Sequence, residues 1–506
     1  MNIKEFIVPA IVALALTIGI QYFFLNKKKE VIEGVKTGQS FIAPRTMSEA
    51  KPLNLEINFS DIQAEHLPVK TVVETPYATL TFSEEGASLE RLNFKEHAHS
   101  TPTVISTIGF NEQANREERC FLVALNTLTP YYYRLIDEHK TDMGTELVYQ
   151  ADIKQVVVQK KFLIHDNKHQ IDLTITAIPQ AGSALDVRVM YPSPFMQEIT
   201  KWDSYSALVI NESNTLEKSA YKKIDARRGW FAPVVFGAEN KYFIHAMVHD
   251  SNHFVRRAYY KLACNSIVSI LEGPAIKEET SWTMSFYMGP KTDHAIAQVD
   301  SRLEGALEYS GWLAPLSRLL LYLLKFLHHY VRNYGVAIIL LIAGIKLLLI
   351  PFSVNGKKDR KKQEEYQKKL AYIRAKYKND PEMLAREQAN LLREQGLPGL
   401  GSMMTGLLQL PLFIALNRVL AGSIEMYKAP FLWVSDLSNY DPYYILPLLI
   451  TMSLFVNALF GDSKQRISLL ILGLILGAIS SSWSAGLALF ILVNTGMNAL
   501  QSALQK

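Results

Sequence analysis

Two architectures follow one another in this sequence. One is an all-β domain, predicted over residues 55–290; the other is an α-helical polytopic membrane domain, with a five-helix core over 335–506 and an N-terminal anchor helix over 1–30. Three observations predict them. The middle of the chain alternates apolar and polar residues with the period of a strand, the last third carries five apolar runs, and a dense block of Lys and Arg separates the first two of those runs. At 506 residues the chain has room for two or three domains, and its net charge of +5 says less than where the charges cluster.

The N-terminus opens weakly charged at Lys4 and Glu5, runs apolar from Phe6 to Leu25, and meets Asn26-Lys27-Lys28-Lys29. That core is longer than the roughly 7 to 15 residues of a cleaved secretory signal, and no small-residue cleavage site follows it. An uncleaved anchor is therefore expected, followed by a turn-rich linker over 31–54. Beyond it, Thr71–Thr75, Tyr77–Phe82, Lys154–Ile164, Gln170–Thr176, Leu185–Tyr191, Lys241–Val248 and Ser281–Met288 are short β-branched and aromatic runs divided by polar turns. Many such runs with no long helical pattern between them predict a large antiparallel sandwich. Two cysteines, Cys120 and Cys264, exclude a disulfide framework and a zinc cluster; they are either one bridge or two buried thiols.

After Gly289-Pro290 the period becomes helical. Arg318, Tyr322, Lys325, His329 and Arg332 recur at steps of three and four, which predicts an amphipathic helix at a membrane surface over 311–334. His328 and His329 are adjacent, about 100° apart on a helix, and so do not form a metal-binding pair. Apolar spans follow at about Gly335–Phe352, Leu400–Leu420, Tyr443–Phe460, Ile467–Trp483 and Gly486–Leu500, some at the short end for crossing a bilayer. The block Lys357, Lys358, Arg360, Lys361 and Lys362, continued by basic residues to Arg393, assigns its loop to the cytoplasm. Alternation then puts the N-terminus inside and residues 31–334 outside or at the outer interface. Lys27 to Lys29 fall on the outer side, against the rule. The loop reads as a charged helical hairpin over 354–398, broken at Asn379-Asp380-Pro381: a solvated connector or a contact surface for a polypeptide, a ribosome or lipid headgroups.

Lys346 interrupts the first apolar span. A lysine at the centre of a membrane helix costs about 2.5–3.5 kcal/mol on insertion scales, so it either snorkels to the interface or faces a wet cavity or a partner. No acidic residue lies in the other four spans, which removes an ion-pair or proton relay. Gln409, Asn417, Arg418, Thr451, Ser453, Asn457, Asn494, Thr495 and Asn498 are further polar residues within the spans. Each alone is an ordinary helix-packing hydrogen bonder; together with Lys346 they would line a one-sided polar groove.

Several motifs carry a family likeness: Asn333-Tyr-Gly, Gln409-Leu-Pro-Leu-Phe-Ile-Ala-Leu, Lys428-Ala-Pro-Phe-Leu-Trp-Val-Ser-Asp-Leu-Ser, Asp441-Pro-Tyr-Tyr-Ile-Leu-Pro and Ser484-Ala-Gly-Leu-Ala-Leu-Phe. Over essentially its whole length the chain resembles the YidC/Oxa/Alb membrane protein insertases, in their long bacterial YidC form. Phe82-Ser-Glu-Glu-Gly-Ala-Ser-Leu and Tyr309-Ser-Gly-Trp-Leu support the likeness more weakly.

The resemblance implies a five-helix insertase core, a periplasmic β super-sandwich and a hydrophilic groove open to cytoplasm and lipid, with no cofactor and no covalent chemistry. It implies nascent membrane proteins as clients, the Sec translocon (SecYEG, SecDF) and ribosome–nascent chain complexes as partners, membrane lipids as contacts, no nucleic acid, and the bacterial inner membrane as location. Lys346, Gln409, Asn417, Thr451, Ser453, Asn494 and Thr495 become the expected groove residues, and Lys357, Lys358, Arg360, Lys361 and Lys362 the hairpin contacts.

Three features depart from the family pattern. Its groove arginine falls at Lys346, which keeps the charge and loses the planar five-donor fork. The turn at Gly461–Arg466 is short, and the chain stops at Lys506 without a basic tail, so ribosome docking through a tail is not expected. A transporter would call for internal repeats and broken helices, and a hydrolase for G-x-S-x-G, H-E-x-x-H or a carboxylate pair in the spans. The sequence has none of these. Sugars or partner proteins are conceivable ligands of the β domain, and nothing in the sequence chooses between them.

Overall fold

The computed structural model describes residues 68–96, 103–108, 119–125, 132–153, 156–179, 186–195, 205–211, 215–225, 228–263, 266–307, 311, 313–378, 380–395, 400–460 and 466–503. The expected anchor and linker, Cys264 and most of the turn at 461–466 lie outside them. The chain divides into two compact units, one of residues 52–440 with 484–487, the other of 1–51, 441–483 and 488–506.

Among the described residues of the first unit, eighteen strands between Lys70 and Pro290 pair, always antiparallel, into sheets of four, five and nine strands. The nine-stranded sheet runs from Leu216–Ala220 at one edge, through Ser206–Ile210, Val235–Glu239, Phe243–Asp250, Thr280–Pro290, Gln170–Pro179, Val156–His165 and Gly144–Ile153, to Arg134–Thr141 at the other. Its two edge strands are mostly charged or polar and exposed, the usual protection against edge-to-edge pairing. One apolar core joins the inner faces of all three sheets: Phe82 and Leu89 from the four-stranded sheet, Tyr191 and Tyr260 from the five-stranded, Phe162 and Phe286 from the nine-stranded. Tyr260 fixes two sheets together, its ring stacked on Phe236 at 4.3 Å and its hydroxyl donating to the carbonyls of Leu208 and Gly237 at 3.0 and 2.8 Å.

Each of the seven runs picked out by alternation coincides, over most of its described residues, with a strand. Among the strands without that signal, Leu122–Leu125, Ser206–Ile210 and Val235–Glu239 are buried on both faces, and Arg134–Thr141 and Leu216–Ala220 are polar edges.

The same unit continues into helices. A short helix α1 (Asp293–Ala297) is capped by the Thr292 hydroxyl, which accepts from Ala295 N at 3.3 Å. Helix α2 (Ala314–Val331) buries Ser317, Leu320, Leu321 and Leu324 and leaves Leu319, Tyr322, Phe326 and Tyr330 exposed. Arg332 closes it in the left-handed region at φ 52°. Its Arg318 binds Asp293 of α1 at 3.0 Å and Glu304 at 2.9 Å, so part of the face read as headgroup-facing is instead tied to the end of the β region.

Helix α3 (Tyr334–Lys376) is capped by Asn333, whose side chain accepts from Val336 N at 3.1 Å. The sequence divides this stretch into a span ending near 352 and a hairpin arm beginning at 354. The structure makes it one helix of 43 residues, its backbone running on through Pro351 and through Asn355-Gly356, which in the sequence read as a stop. Helix α4 (Pro381–Gln395) is the second arm, begun by Asp380, whose carboxylate accepts from Met383 N at 3.0 Å. Helix α5 (Leu400–Gly422) contains Pro411 and packs against α2 and α3.

The second unit holds α6 (Ile445–Phe460), α7 (Arg466–Ser480) and all but the first turn of α8 (Ala485–Ala503). Helices α6 and α7 pack along each other at Gly473 and Gly477, where a Cβ on Gly477 would sit 2.0 Å from Thr451 Oγ1. Among the described residues no helix is both long and apolar enough to cross a membrane by the usual measure. Helices α6 and α7 have 16 and 15 residues, about 24 and 22 Å at 1.5 Å per residue, and α8 is interrupted by Asn494, Thr495 and Asn498.

Candidate functional site

Lys346 sits on α3, twelve residues or about 18 Å beyond its first residue. It follows Ile338 and Ile342 at steps of four, so it extends the stripe of α3 that is buried nearer the start, and it is itself half-buried. Its neighbours Leu347 and Leu348 are exposed, as lipid-facing residues would be. Asn417 is half-buried on α5, the helix that packs on α3. Gln409 lies on the same helix two residues before Pro411, with only its backbone described. The basic cluster Lys357, Lys358, Arg360, Lys361 and Lys362 continues α3 beyond Lys346, again with only the backbone described.

The polar residues of the second unit are engaged between helices. Ser453 and Thr495 share a hydroxyl–hydroxyl bond of 2.6 Å, joining α6 to α8, and the Asn457 amide donates to the Thr495 carbonyl at 3.0 Å. Thr451 donates to the Pro447 and Gly473 carbonyls at 3.1 and 3.2 Å. For Thr451, Ser453 and Thr495 this is the helix-packing alternative that the sequence left open. Asn494 is half-buried on α8.

Sequence reasoning found the loop over 423–440 and its motif but missed its contacts, which tie several elements together. Glu425, nearly buried, binds Lys325 of α2 at 2.5 Å. The Asn333 amide donates to the Pro430 carbonyl at 3.2 Å, and Gly335 lies so close to Phe431 that a Cβ there would be 2.1 Å from its ring. Asp436 accepts from Lys428 N, Ser438 N and Ser438 Oγ at 3.0, 2.8 and 2.7 Å, while burial raises its carboxyl above the ordinary range. Gly335 and Asp436 both lie inside motifs quoted above, but no spacing in the sequence announces which residues they meet.

Lys160 was missed as well. It is fully buried in the β region, donating to the carbonyls of Gly86, Ala87 and Phe121 at 2.7, 2.9 and 2.6 Å. All three carbonyl residues have left-handed backbones. The signal was present, since Lys160 is in phase with Val156, Val158, Phe162 and Ile164 on the inward face of its strand. Cys120 is a buried free thiol.

Among the described residues no group of His, Cys, Asp and Glu could hold a metal ion. A large antiparallel β region joined to a region of apolar helices is the arrangement expected of one class, the membrane proteins with an extramembrane β domain. Residues 70–323 match the model of the YidC periplasmic domain, and residues 326–506 that of the 60Kd inner membrane protein. The chain belongs to the YidC family.

Relatives include a membrane protein insertase YidC from Geobacter metallireducens, 24% identical over 99% of this chain and 97% of the relative. Another, from Syntrophus aciditrophicus, is 29% identical over 71% of this chain and 69% of its own length. Among solved structures, an active YidC insertase with its first transmembrane domain resolved covers 88% of this chain and 93% of its own, at 18% identity and a TM-score of 0.35.

Proposed function

We propose that this chain inserts and helps to fold integral membrane proteins in a bacterial inner membrane, alone or beside the Sec translocon. It has its N-terminus in the cytoplasm and its β domain in the periplasm. The observation that carries the reading is Lys346: a cation held half-buried on α3 among apolar residues, in a chain of the insertase family. A positive charge in a low-dielectric setting attracts the acidic residues of a segment on its way across, and polar neighbours lower the cost of holding that segment.

Asn417 and Gln409 on α5 are the further groove residues in this reading. The basic extension of α3, from Lys357 to Lys362, makes first contact with the nascent chain or the headgroups around it. Lysine in place of arginine gives attraction without a bidentate fork, so selectivity is for charge rather than for carboxylate geometry.

A photo-crosslinker at position 346 tests the reading. With a stalled nascent membrane protein the expected result is a crosslink to its translocating segment. Crosslinks to lipid alone would overturn the substrate contact.

A further inference from the structure

The β region reaches the helix that carries Lys346 through a short chain of contacts. Strands Val235–Glu239 and Phe243–Asp250 form a hairpin whose tip is Asn240-Lys241-Tyr242. The tip is held firmly. Asn240 accepts from Tyr242 N and Phe243 N at 2.9 and 2.7 Å and donates to the Pro194 carbonyl at 3.1 Å. Beneath it the buried Glu239 carboxylate binds Lys218 and, at 3.1 Å, the equally buried Lys291, which reaches the Asn240 carbonyl at 3.4 Å.

This tip rests on the 423–440 loop. The Tyr242 and Tyr427 rings lie 5.2 Å apart, and Tyr427 belongs to the β region's own apolar core. Lys241 donates to the Ser438 carbonyl at 3.4 Å. The loop is stiff in turn: Asp436 gathers three donors, Phe431 and Val434 pair backbone to backbone at 2.8 and 2.9 Å, and Lys428 and Leu432 are fixed in the left-handed region. On its far side the loop grips the first turn of α3 through Asn333 and through the close approach of Phe431 to Gly335. From there α3 runs unbroken past Lys346.

We propose that Lys241 and Tyr242 are positioning residues for insertion: through Tyr427, Phe431 and Gly335 the hairpin tip sets the axial position and rotation of α3, and hence where Lys346 meets the substrate. The inference rests on the reading of Lys346 as a substrate contact. A helix is stiff along its axis, so a displacement at Gly335 is carried to Lys346 rather than absorbed between them.

The test uses the full chain with the crosslinker at 346 and a stalled substrate, recording which substrate residues are captured. Gly335→Ala, whose Cβ overlaps the Phe431 ring, is expected to move the captured position by several residues or to reduce capture about tenfold. Adding Phe431→Ala, which removes the overlap, restores the original pattern. Tyr242→Ala and Lys241→Ala shift the pattern in the same direction, less far, while Tyr242→Phe, which keeps the ring, leaves it in place.

Lys241→Ala trims a half-buried side chain at the tip and serves where the other variants accumulate poorly. An unchanged pattern in Lys241→Ala, and in each of the others that accumulates, overturns the positioning role. Absence of any substrate crosslink in the parent chain defeats the reading of Lys346 instead.

Discussion

Two lysines lie in apolar surroundings, one in each kind of architecture. Lys160, at the centre of the β region, has all three of its donors directed at backbone carbonyls from two turns, and nothing of it is exposed. Lys346 lies on a helix whose own carbonyls are taken up by the helical hydrogen bonds, and it remains half-exposed. The difference teaches how to tell a structural charge from a working one. A lysine enclosed by carbonyls of turns that do not continue their sheets completes the fold; the proposed role of Lys346 asks instead for a side chain that a second molecule can reach, and half-exposure on the side of a helix allows that.

The largest expected effect separates the two by one substitution made at each. Lys160→Met leaves three inward carbonyls without their donor, at about 1–3 kcal/mol each. The chain should then fail to accumulate or unfold at a temperature lower by many degrees in detergent. Lys346→Met, at a half-exposed position, should cost far less thermal stability than Lys160→Met while insertion falls. Equal stability losses at both sites would remove the distinction.

Acid should expose the same contrast, since burial pulls His169 and His245 in the β region down to about 4 from an ordinary value near 6.5. A depressed histidine stays neutral when folded and takes up a proton on unfolding. Its stability is therefore complete above about pH 6.5 and is lost as pH falls towards 4, by roughly 2–3 kcal/mol per histidine at pH 4.5. Thermal unfolding of the full chain between pH 7.5 and 4.5 checks this, and a combined His169→Gln and His245→Gln variant should flatten the profile.

The pair of Lys325 and Glu425 is a smaller and asymmetric case. Removing Lys325 leaves a nearly buried carboxylate alone, while removing Glu425 leaves a lysine that is already half-exposed. Lys325→Ala should cost about 1–3 kcal/mol and Glu425→Gln less, with the charge-swapped double variant recovering part of the loss. Smallest of all, Ser453→Ala should cost about 0.6 kcal/mol, the average for a hydrogen bond between membrane helices, without changing insertion. A clear insertion defect at normal abundance would assign Ser453 to the groove as well as to the helix contact.

Much of the fold could be read from the sequence wherever one periodicity acts alone. Val156–His165 and Gln170–Pro179 alternate because one face is buried, and α6 and α7 stand out as apolar runs. Strands such as Val235–Glu239, buried on both faces, carry no alternation, and the continuity of α3 was hidden by Pro351, by Asn355-Gly356 and by its change from apolar to basic.

For the site, Lys346 was legible because charge within an apolar run is rare. The partners of Thr451, Ser453 and Thr495 were not, since a hydroxyl in a helix looks the same whether it faces a neighbouring helix or a groove. Nor was the grip of Phe431 on Gly335, where residues far apart in the chain meet and only three dimensions show it.

The most direct test of the account reverses charge at both ends of its central contact. Substrates with a short outgoing segment carrying Asp and Glu, or Lys in their place, are inserted by the parent chain and by Lys346→Arg, Lys346→Ala and Lys346→Glu. Insertion of the acidic substrate should be kept by Lys346→Arg, reduced by Lys346→Ala and reduced most by Lys346→Glu, with the basic substrate showing the opposite order. Equal insertion of both substrates by all four chains would contradict charge attraction at Lys346.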